Sequence, residues 1–173
     1  GLSLREVAKR AHVSHAAPYR HFSDKTALLA AVAETGFQEL GDAMLRAQAA
    51  FPDDPRGQLR EAGVAYVTLA VRNPEITHLM FGGVLAPEDC PETLKNTSDA
   101  AFQGLLDIVA NGQAAGLYKD RETLDLALAA WSCVHGLAML ISARQLDADA
   151  DDEDSVRALT ERIGEILMTG MLR

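Results

Sequence analysis

Cysteine, strand-forming patterns and long apolar runs are scarce in this sequence, and each scarcity excludes a class of protein. The two cysteines, Cys90 and Cys133, stand far apart and form no CxxC pair, so neither a disulfide framework nor a zinc knuckle is expected. There is no run of about 18 uncharged apolar residues, and the first residues lack the basic start and apolar core of a secretion signal. We therefore expect a soluble, cytoplasmic protein that has no membrane partner.

Motifs of catalysis and metal binding are also missing. There is no nucleophile elbow, phosphate loop, HExxH pair or dinucleotide fingerprint. His78, Cys133 and His135 are possible nucleophiles or bases, but Cys133 and His135 are two apart on a predicted helix and point to different faces. The acidic run at 147–154 lacks the glycine and the terminal glutamate of a calcium loop. The sequence predicts no enzyme, no metal site and no cofactor.

The charge is distributed unevenly along the chain. A net charge of −9 would repel DNA if it were spread evenly. Residues 1–25, however, hold five basic and two acidic residues, a net charge of +3, whereas the remainder holds 11 basic and 23 acidic residues, a net charge of −12. Such asymmetry is typical of a nucleic-acid-facing end on an acidic body, although a chance cluster on a solvated face gives the same count.

The pattern of apolar residues predicts an all-α fold. Alanine and leucine recur at helical spacing, and no hairpin turn signal is present. Ser3 and Glu6 form a capping box for a first helix to about residue 11, and Ser14 caps a second short helix over 15–22. His12 occupies the turn between them, and a residue other than glycine at this position is expected to strain the backbone or to alter the turn slightly. Further helices are predicted, by cap and proline signals, at 25–50, 55–72, 74–81, 92–115 and 122–145 and after the acidic run.

Two short helices joined by a three-residue turn are what a helix-turn-helix needs to place its second helix in the major groove. The segment from Leu2 to Val32, LSLREVAKRAHVSHAAPYRHFSDKTALLAAV, contains the frame AxxAxVSxxxxYRHFxxKxxLL. This frame closely resembles the helix-turn-helix of the TetR family of transcriptional regulators. The family pattern has a further helix before Ser3, so we expect that first helix to be absent here. The resemblance implies a DNA-binding domain over 1–50 and a helical-bundle domain for ligand binding and dimerisation over 51–173.

The resemblance also implies which residues contact DNA. His15, Ala16 and Ala17 would face base edges: an imidazole hydrogen-bonds to a purine, and alanine lets the helix approach and touches a thymine methyl. Tyr19 would contact phosphate, although packing in the core is an alternative for this ring. Phosphate contacts and flanking positions complete the predicted DNA-binding set, which is Arg5, Ser14, His15, Ala16, Ala17, Tyr19, Arg20, His21 and Lys25.

The second half offers a weaker signal for a ligand pocket. Residues 130–138, AWSCVHGLA, resemble the WHG-type C-terminal domain of some TetR-like regulators, in which a Trp, a His and a Gly recur on the penultimate helix. Apolar residues with a few polar tips are typical of small-molecule sites, although aromatic and methionine residues at helical spacing are more often part of an ordinary core. The predicted pocket set is Tyr66, His78, Met80, Phe81, Phe102, Leu106, Trp131, His135 and Met139.

Apolar stripes on the last two long helices are sufficient for a four-helix dimer seam, and the family resemblance implies the same. The predicted interface set is Leu124, Leu128, Leu159, Ile163, Ile166 and Leu167. Two-fold symmetry would place two reading helices about one DNA turn apart on a palindromic operator. The sequence thus predicts a homodimeric repressor that a small apolar effector ligand releases from double-stranded operator DNA. The alternative is a helical dimeric small-molecule-binding or structural protein that does not bind DNA.

Overall fold

The computed structural model describes residues 3–146 and 149–171. All the secondary-structure elements in these ranges are helices. Seven α-helices and two short 3₁₀ turns, at Pro18–Arg20 and Pro87–Asp89, follow one another along the chain. The helices are α1 Leu4–Arg10, α2 Lys25–Ala50, α3 Pro55–Arg72, α4 Pro74–Phe81, α5 Glu92–Ala114, α6 Thr123–Ser142 and α7 Glu153–Met171. The all-α prediction is therefore confirmed.

The N-terminal segment agrees with the sequence prediction at its start and departs from it later. The Ser3 hydroxyl accepts a hydrogen bond from the Glu6 backbone N–H at 3.2 Å, so the predicted cap is present. The reciprocal half of the capping box was a wrong prediction, because the Glu6 carboxylate instead accepts from Arg10 at 3.4 Å. His12 has a φ of 55°, the left-handed conformation that glycine adopts more readily, and this confirms the predicted strain in the turn.

The predicted second helix over 15–22 is not formed as a continuous helix. The chain makes a turn closed by the Ala17 N–H donating to the Ser14 carbonyl at 2.9 Å, followed by the 3₁₀ turn Pro18–Arg20. Pro18 has no N–H with which to bond the Ser14 carbonyl, so helical hydrogen bonding starts only at the proline. Phe22 then donates to the Pro18 carbonyl at 2.9 Å, so the segment forms a single helical turn.

The predictions for the remaining helices are confirmed to within a few residues. The Asp24 carboxylate caps α2 by accepting from the Ala27 N–H at 2.9 Å. Pro55 and Pro74 occupy the first positions of α3 and α4, where a missing N–H costs no helical bond. Gly116, with a φ of 71°, follows the end of α5. The predicted acidic run at 147–154 includes 147–148, which lie outside the described residues, and α7 begins within it at Glu153.

The core lies where α2, α3, α5, α6 and α7 pack together, and α4 covers one end of α2 and α3. Helix α2 passes close to its neighbours because a glycine faces it: a Cβ built at Gly104 on α5 would lie 2.9 Å from the Met44 Cβ. Helix α6 is long and apolar enough to cross a membrane by length and composition alone, but it packs against α3, α5 and α7 as a core helix does. One continuous helix, α2, thus connects the N-terminal turn to the body.

Candidate functional site

The N-terminal segment presents nearly all of its predicted DNA-binding residues to solvent. Eight of the nine are exposed, and Ala17 is half-buried. The side chain at Tyr19 is 59% exposed, so its alternative placement in the core is wrong. Among the described residues, Arg5, Arg20 and Lys25 form no salt bridge, whereas Arg10 pairs with Glu6. The segment therefore exposes cations that are free to meet an external anion.

Buried apolar groups hold this surface in place from beneath. Leu4 and Ala8 of α1 are buried, and so is Pro18 under the 3₁₀ turn. At the start of α2, hydrogen bonds from the Ala27 N–H and from Ser23 lower the pKa of the Asp24 carboxyl. The cap therefore stays ionised and fixes the N-terminus of α2 directly after the exposed turn. Residues 3–25 thus form a defined surface attached to α2, which we call the basic tip.

A cavity of about 320 Å³, open to solvent on one side, lies in the body between α2, α3, α4, α5, α6 and α7. Its volume falls at the lower end of the range for small-molecule pockets. Five aromatic rings, one from each of five helices, line it: Phe37, Tyr66, Phe81, Phe102 and Trp131. The ring centroids of Phe37 and Phe81 are 5.3 Å apart, those of Phe81 and Trp131 5.6 Å, and those of Trp131 and Phe102 5.7 Å. The rings therefore form one continuous aromatic wall.

A hydrogen-bonded chain lies in this wall. The Trp131 Nε1–H donates to the Tyr66 hydroxyl oxygen at 3.3 Å, and that hydroxyl lies 2.7 Å from His135 Nδ1. Burial lowers the pKa of His135, which favours the neutral imidazole at pH 7. Burial also raises the pKa of Tyr66 to about 12, which keeps the phenol protonated. The Trp131 N–H and the Tyr66 hydroxyl are therefore both engaged within the protein.

The structure brings together four of the nine residues of the predicted pocket: Tyr66, Phe81, Phe102 and Trp131. His135 lies behind Tyr66, and Met80 lines a separate void of about 30 Å³ between α2, α3 and α4. The other three do not line the cavity: His78 is exposed, and Leu106 and Met139 pack against core clusters.

Sequence reasoning missed the contributions of α2 and α7 to the cavity. Helix α2 supplies Phe37, Leu40 and Met44, and α7 supplies residues that include Gly164 and Leu167. The small residue Gly164 was a partial signal for α7. It lines the cavity, and a Cβ built at this position meets no heavy atom within 4 Å.

Three charged residues, Arg60, Asp99 and Glu161, are among those that line the cavity. Arg157 donates to Glu61 at 3.1 Å and to Glu161 at 3.1 Å, and the hydrogen bond with Arg157 lowers the pKa of Glu61. Arg60 lies 3.5 Å from Glu61 and 5.5 Å from the centre of the Phe51 ring. Ion pairs therefore engage Arg60 and Glu161, whereas Asp99 is exposed and forms no salt bridge among the described residues.

The predicted dimer residues separate into two groups. Leu124 and Leu128 of α6 and Ile166 of α7 are exposed, with Ile166 reaching 68%. Leu159 and Ile163 instead pack against one core cluster and Leu167 against another, and Leu167 also lines the cavity. Leu140 of α6, which was not predicted, is 45% exposed. An apolar surface on α6 and α7 thus remains uncovered in the single chain.

Comparison with protein families places both halves of the chain. Residues 59–163, more than half of its length, match the family model of the tetracyclin repressor-like C-terminal domain. The chain belongs to the TetR family. Residues 1–32 match the model of bacterial regulatory proteins of the tetR family, so the N-terminal resemblance is confirmed. The family consists of transcriptional regulators that are not enzymes, which confirms the prediction that this TetR-family chain is a regulator and not an enzyme.

Known relatives agree with this assignment. A structure of a protein with unknown function from Rhodococcus sp. RHA1 superimposes with a TM-score of 0.82 at 34% identity, covering 99% of this chain and 86% of that one. The TetR family transcriptional regulator PfmR from Thermus thermophilus has a TM-score of 0.77 at 20% identity, covering 99% and 90%, which shows the shared fold. The HTH-type transcriptional regulator AcrR of Shigella flexneri is 44% identical over 59 residues, 34% of this TetR-family chain and 27% of that protein's length.

Proposed function

We propose that this TetR-family protein is a cytoplasmic repressor that binds a palindromic operator as a homodimer and releases it when a small apolar ligand fills the cavity. The observation that carries the proposal is the exposed basic tip, whose net charge of +3 over residues 1–25 stands on a body of net charge −12. An acidic body repels DNA, so binding is confined to this tip.

The residues of the tip divide by chemistry into two roles. His15 and Ala16 are exposed on the turn before Pro18, where an imidazole and a methyl group are suited to base edges in the major groove. The cations Arg5, Arg20 and Lys25, together with the Tyr19 hydroxyl and the His21 ring, are suited to phosphates. We propose that Ser14 and Ala17 complete the contact surface around this turn.

Fluorescence anisotropy of the full-length protein on DNA from upstream of its own gene tests this assignment. His15→Ala is expected to reduce the preference for operator over random DNA, because it removes a base contact. Lys25→Gln is expected to weaken binding to both DNAs equally, because a phosphate contact carries no sequence information. The matched control is Lys95→Gln, which removes an exposed lysine of α5. It should change neither the affinity for DNA nor the preference for the operator.

Binding that is unaffected by either tip variant would show that the tip does not contact DNA. Absence of any DNA binding would favour the alternative of a helical dimer that binds small molecules or acts structurally.

Ligand release is supported by the position of α2. This helix begins at Lys25, next to the tip, and reaches the cavity through Phe37, Leu40 and Met44. A ligand that packs better against one orientation of α2 than another shifts the population toward that orientation. Because the same helix carries the tip in both protomers, the shift changes the spacing of the two tips on the operator.

Dimerisation is supported by the apolar surface of α6 and α7, which has Leu124, Leu128 and Ile166 at its exposed positions. Ile166→Glu is expected to convert a dimer into a monomer in sedimentation experiments, because it places a charge in a seam that two-fold symmetry repeats. Leu45→Glu on α2 is the matched control, because Leu45 is 64% exposed and lies outside this surface. A dimer that survives Ile166→Glu would place the seam elsewhere.

A further inference from the structure

We propose that the ligand of the cavity is an uncharged aromatic compound. This inference rests on the proposed function for its role in regulation, but it concerns the cavity alone. It follows from three properties of the cavity: the rings in its wall, the state of its polar groups and the position of its charges.

The wall is aromatic on several sides. Phe37, Phe81, Trp131 and Phe102 come from α2, α4, α6 and α5, and successive ring centroids are 5.3, 5.6 and 5.7 Å apart. Rings at these separations adopt tilted or edge contacts, the arrangement that aromatic pairs prefer. A planar ligand continues the same pattern of contacts with rings from four helices.

The polar groups of the interior are already engaged. Trp131 donates to the Tyr66 hydroxyl, and that hydroxyl lies in a hydrogen bond of 2.7 Å with His135 Nδ1. The Thr160 hydroxyl, which also borders the cavity, donates to the Val156 carbonyl at 2.8 Å. A ligand carboxylate or ammonium would lose its water and find no free partner among these groups, which disfavours any ionised compound.

The charges at the edge do not provide a partner for a buried ion either. Glu161 pairs with Arg157, and Arg60 lies against Glu61 and the Phe51 ring. Asp99 also lines the cavity, but its side chain is exposed and therefore hydrated. Recognition inside the cavity therefore depends on shape and on ring contacts.

Three fluorescent or competing probes of similar ring size test the proposal on the full-length protein. N-phenylnaphthylamine is neutral, anilinonaphthalene sulfonate has the same rings with one negative charge, and N-phenylnaphthylamine with one trimethylammonium substituent has the same rings with one positive charge. The neutral probe is expected to bind at least tenfold more tightly than either ion. Equal or tighter binding of the sulfonate or of the ammonium compound would overturn the proposal.

Matched variants establish that the rings bind the probe. Phe102→Leu keeps an apolar side chain but removes a ring of the wall. It is expected to weaken binding of the neutral probe by threefold or more. Phe51→Leu is the control, because this ring lies outside the cavity lining. A neutral probe that binds both variants equally well does not occupy the cavity, which would also overturn the proposal.

Anisotropy on operator DNA, measured on the same preparation, separates the two proposals. DNA binding without preference for the neutral probe rejects the ligand class and leaves the regulator intact. Neutral-probe binding without DNA binding rejects the regulator and leaves the ligand class intact.

Discussion

Substitution of Gly164 by leucine fills the cavity from the side of α7. Gly164 lines the cavity, and a Cβ built there meets no heavy atom within 4 Å. The Cβ of the added side chain therefore enters open space. Two effects raise the free energy of unfolding: a poor helix former, glycine, is replaced, and an apolar side chain becomes partly buried.

The magnitude follows from these two effects. Replacing glycine by leucine inside a helix stabilises by about 0.8 kcal/mol. Each buried methylene adds about 0.8 kcal/mol, and a leucine side chain in a cavity open at one edge buries roughly one such group more than an exposed one. A total of about 1.5 kcal/mol corresponds to a rise in Tm of roughly 3–6 °C for a domain of this size.

Thermal unfolding and titration with N-phenylnaphthylamine together test this prediction. Gly164→Leu should raise Tm. It should also weaken binding of the neutral probe by at least tenfold, since the leucine side chain occupies the cavity. Gly170→Leu on the same helix is the control: a Cβ there also meets nothing within 4 Å, but this position is not part of the cavity lining, so the probe affinity should not change. A lowered Tm, or undiminished probe binding, in Gly164→Leu would refute the cavity assignment.

Three further predictions concern stability. Gly112→Ala should destabilise by about 1–3 kcal/mol in urea unfolding, because a Cβ there overlaps the ring of Tyr118, whose hydroxyl donates to the Pro55 carbonyl at 3.1 Å. Tyr66→Phe should cost about 1–3 kcal/mol by the same assay, since it removes the partner of Trp131 and of His135. Stability should fall as the pH drops below about 6.5, because burial lowers the pKa of His135 and the unfolded chain binds the proton first; His135→Gln should abolish this component.

These results would be contradicted, respectively, by a stabilised Gly112→Ala, by an unchanged Tyr66→Phe, and by an acid-dependent loss that persists in His135→Gln.

Helix boundaries were predictable where a single residue type fixes them. Asp24 at a cap and Pro55 and Pro74 at first positions act through local hydrogen bonding and ring geometry, and the structure places all three as predicted. The same chemistry was underestimated at Pro18, where the missing N–H delays the helix to the proline itself. The helical structure around Pro18 is therefore shorter than the helix over 15–22 that the Ser14 cap predicted.

The cavity was only partly predictable because periodicity identifies an apolar face but not what that face meets. Phe81 and Trp131 line the cavity, whereas Met139, on the same helix as Trp131, packs in the core. Phe37 of α2 was overlooked because the sequence gives no indication that a helix leading to the DNA-binding tip also borders a pocket. That information resides in how the helices cross.

The salt dependence of operator binding tests the central claim, that the basic tip contacts DNA, most directly. If Arg5, Arg20 and Lys25 of each protomer each neutralise a phosphate, a dimer is expected to give a slope of log affinity against log salt of roughly −5. Lys25→Gln should reduce that slope by about 2 in a dimer, and Lys95→Gln should leave it unchanged. A slope near zero, or one that Lys25→Gln does not alter, would contradict the assignment of the tip as the DNA-binding surface.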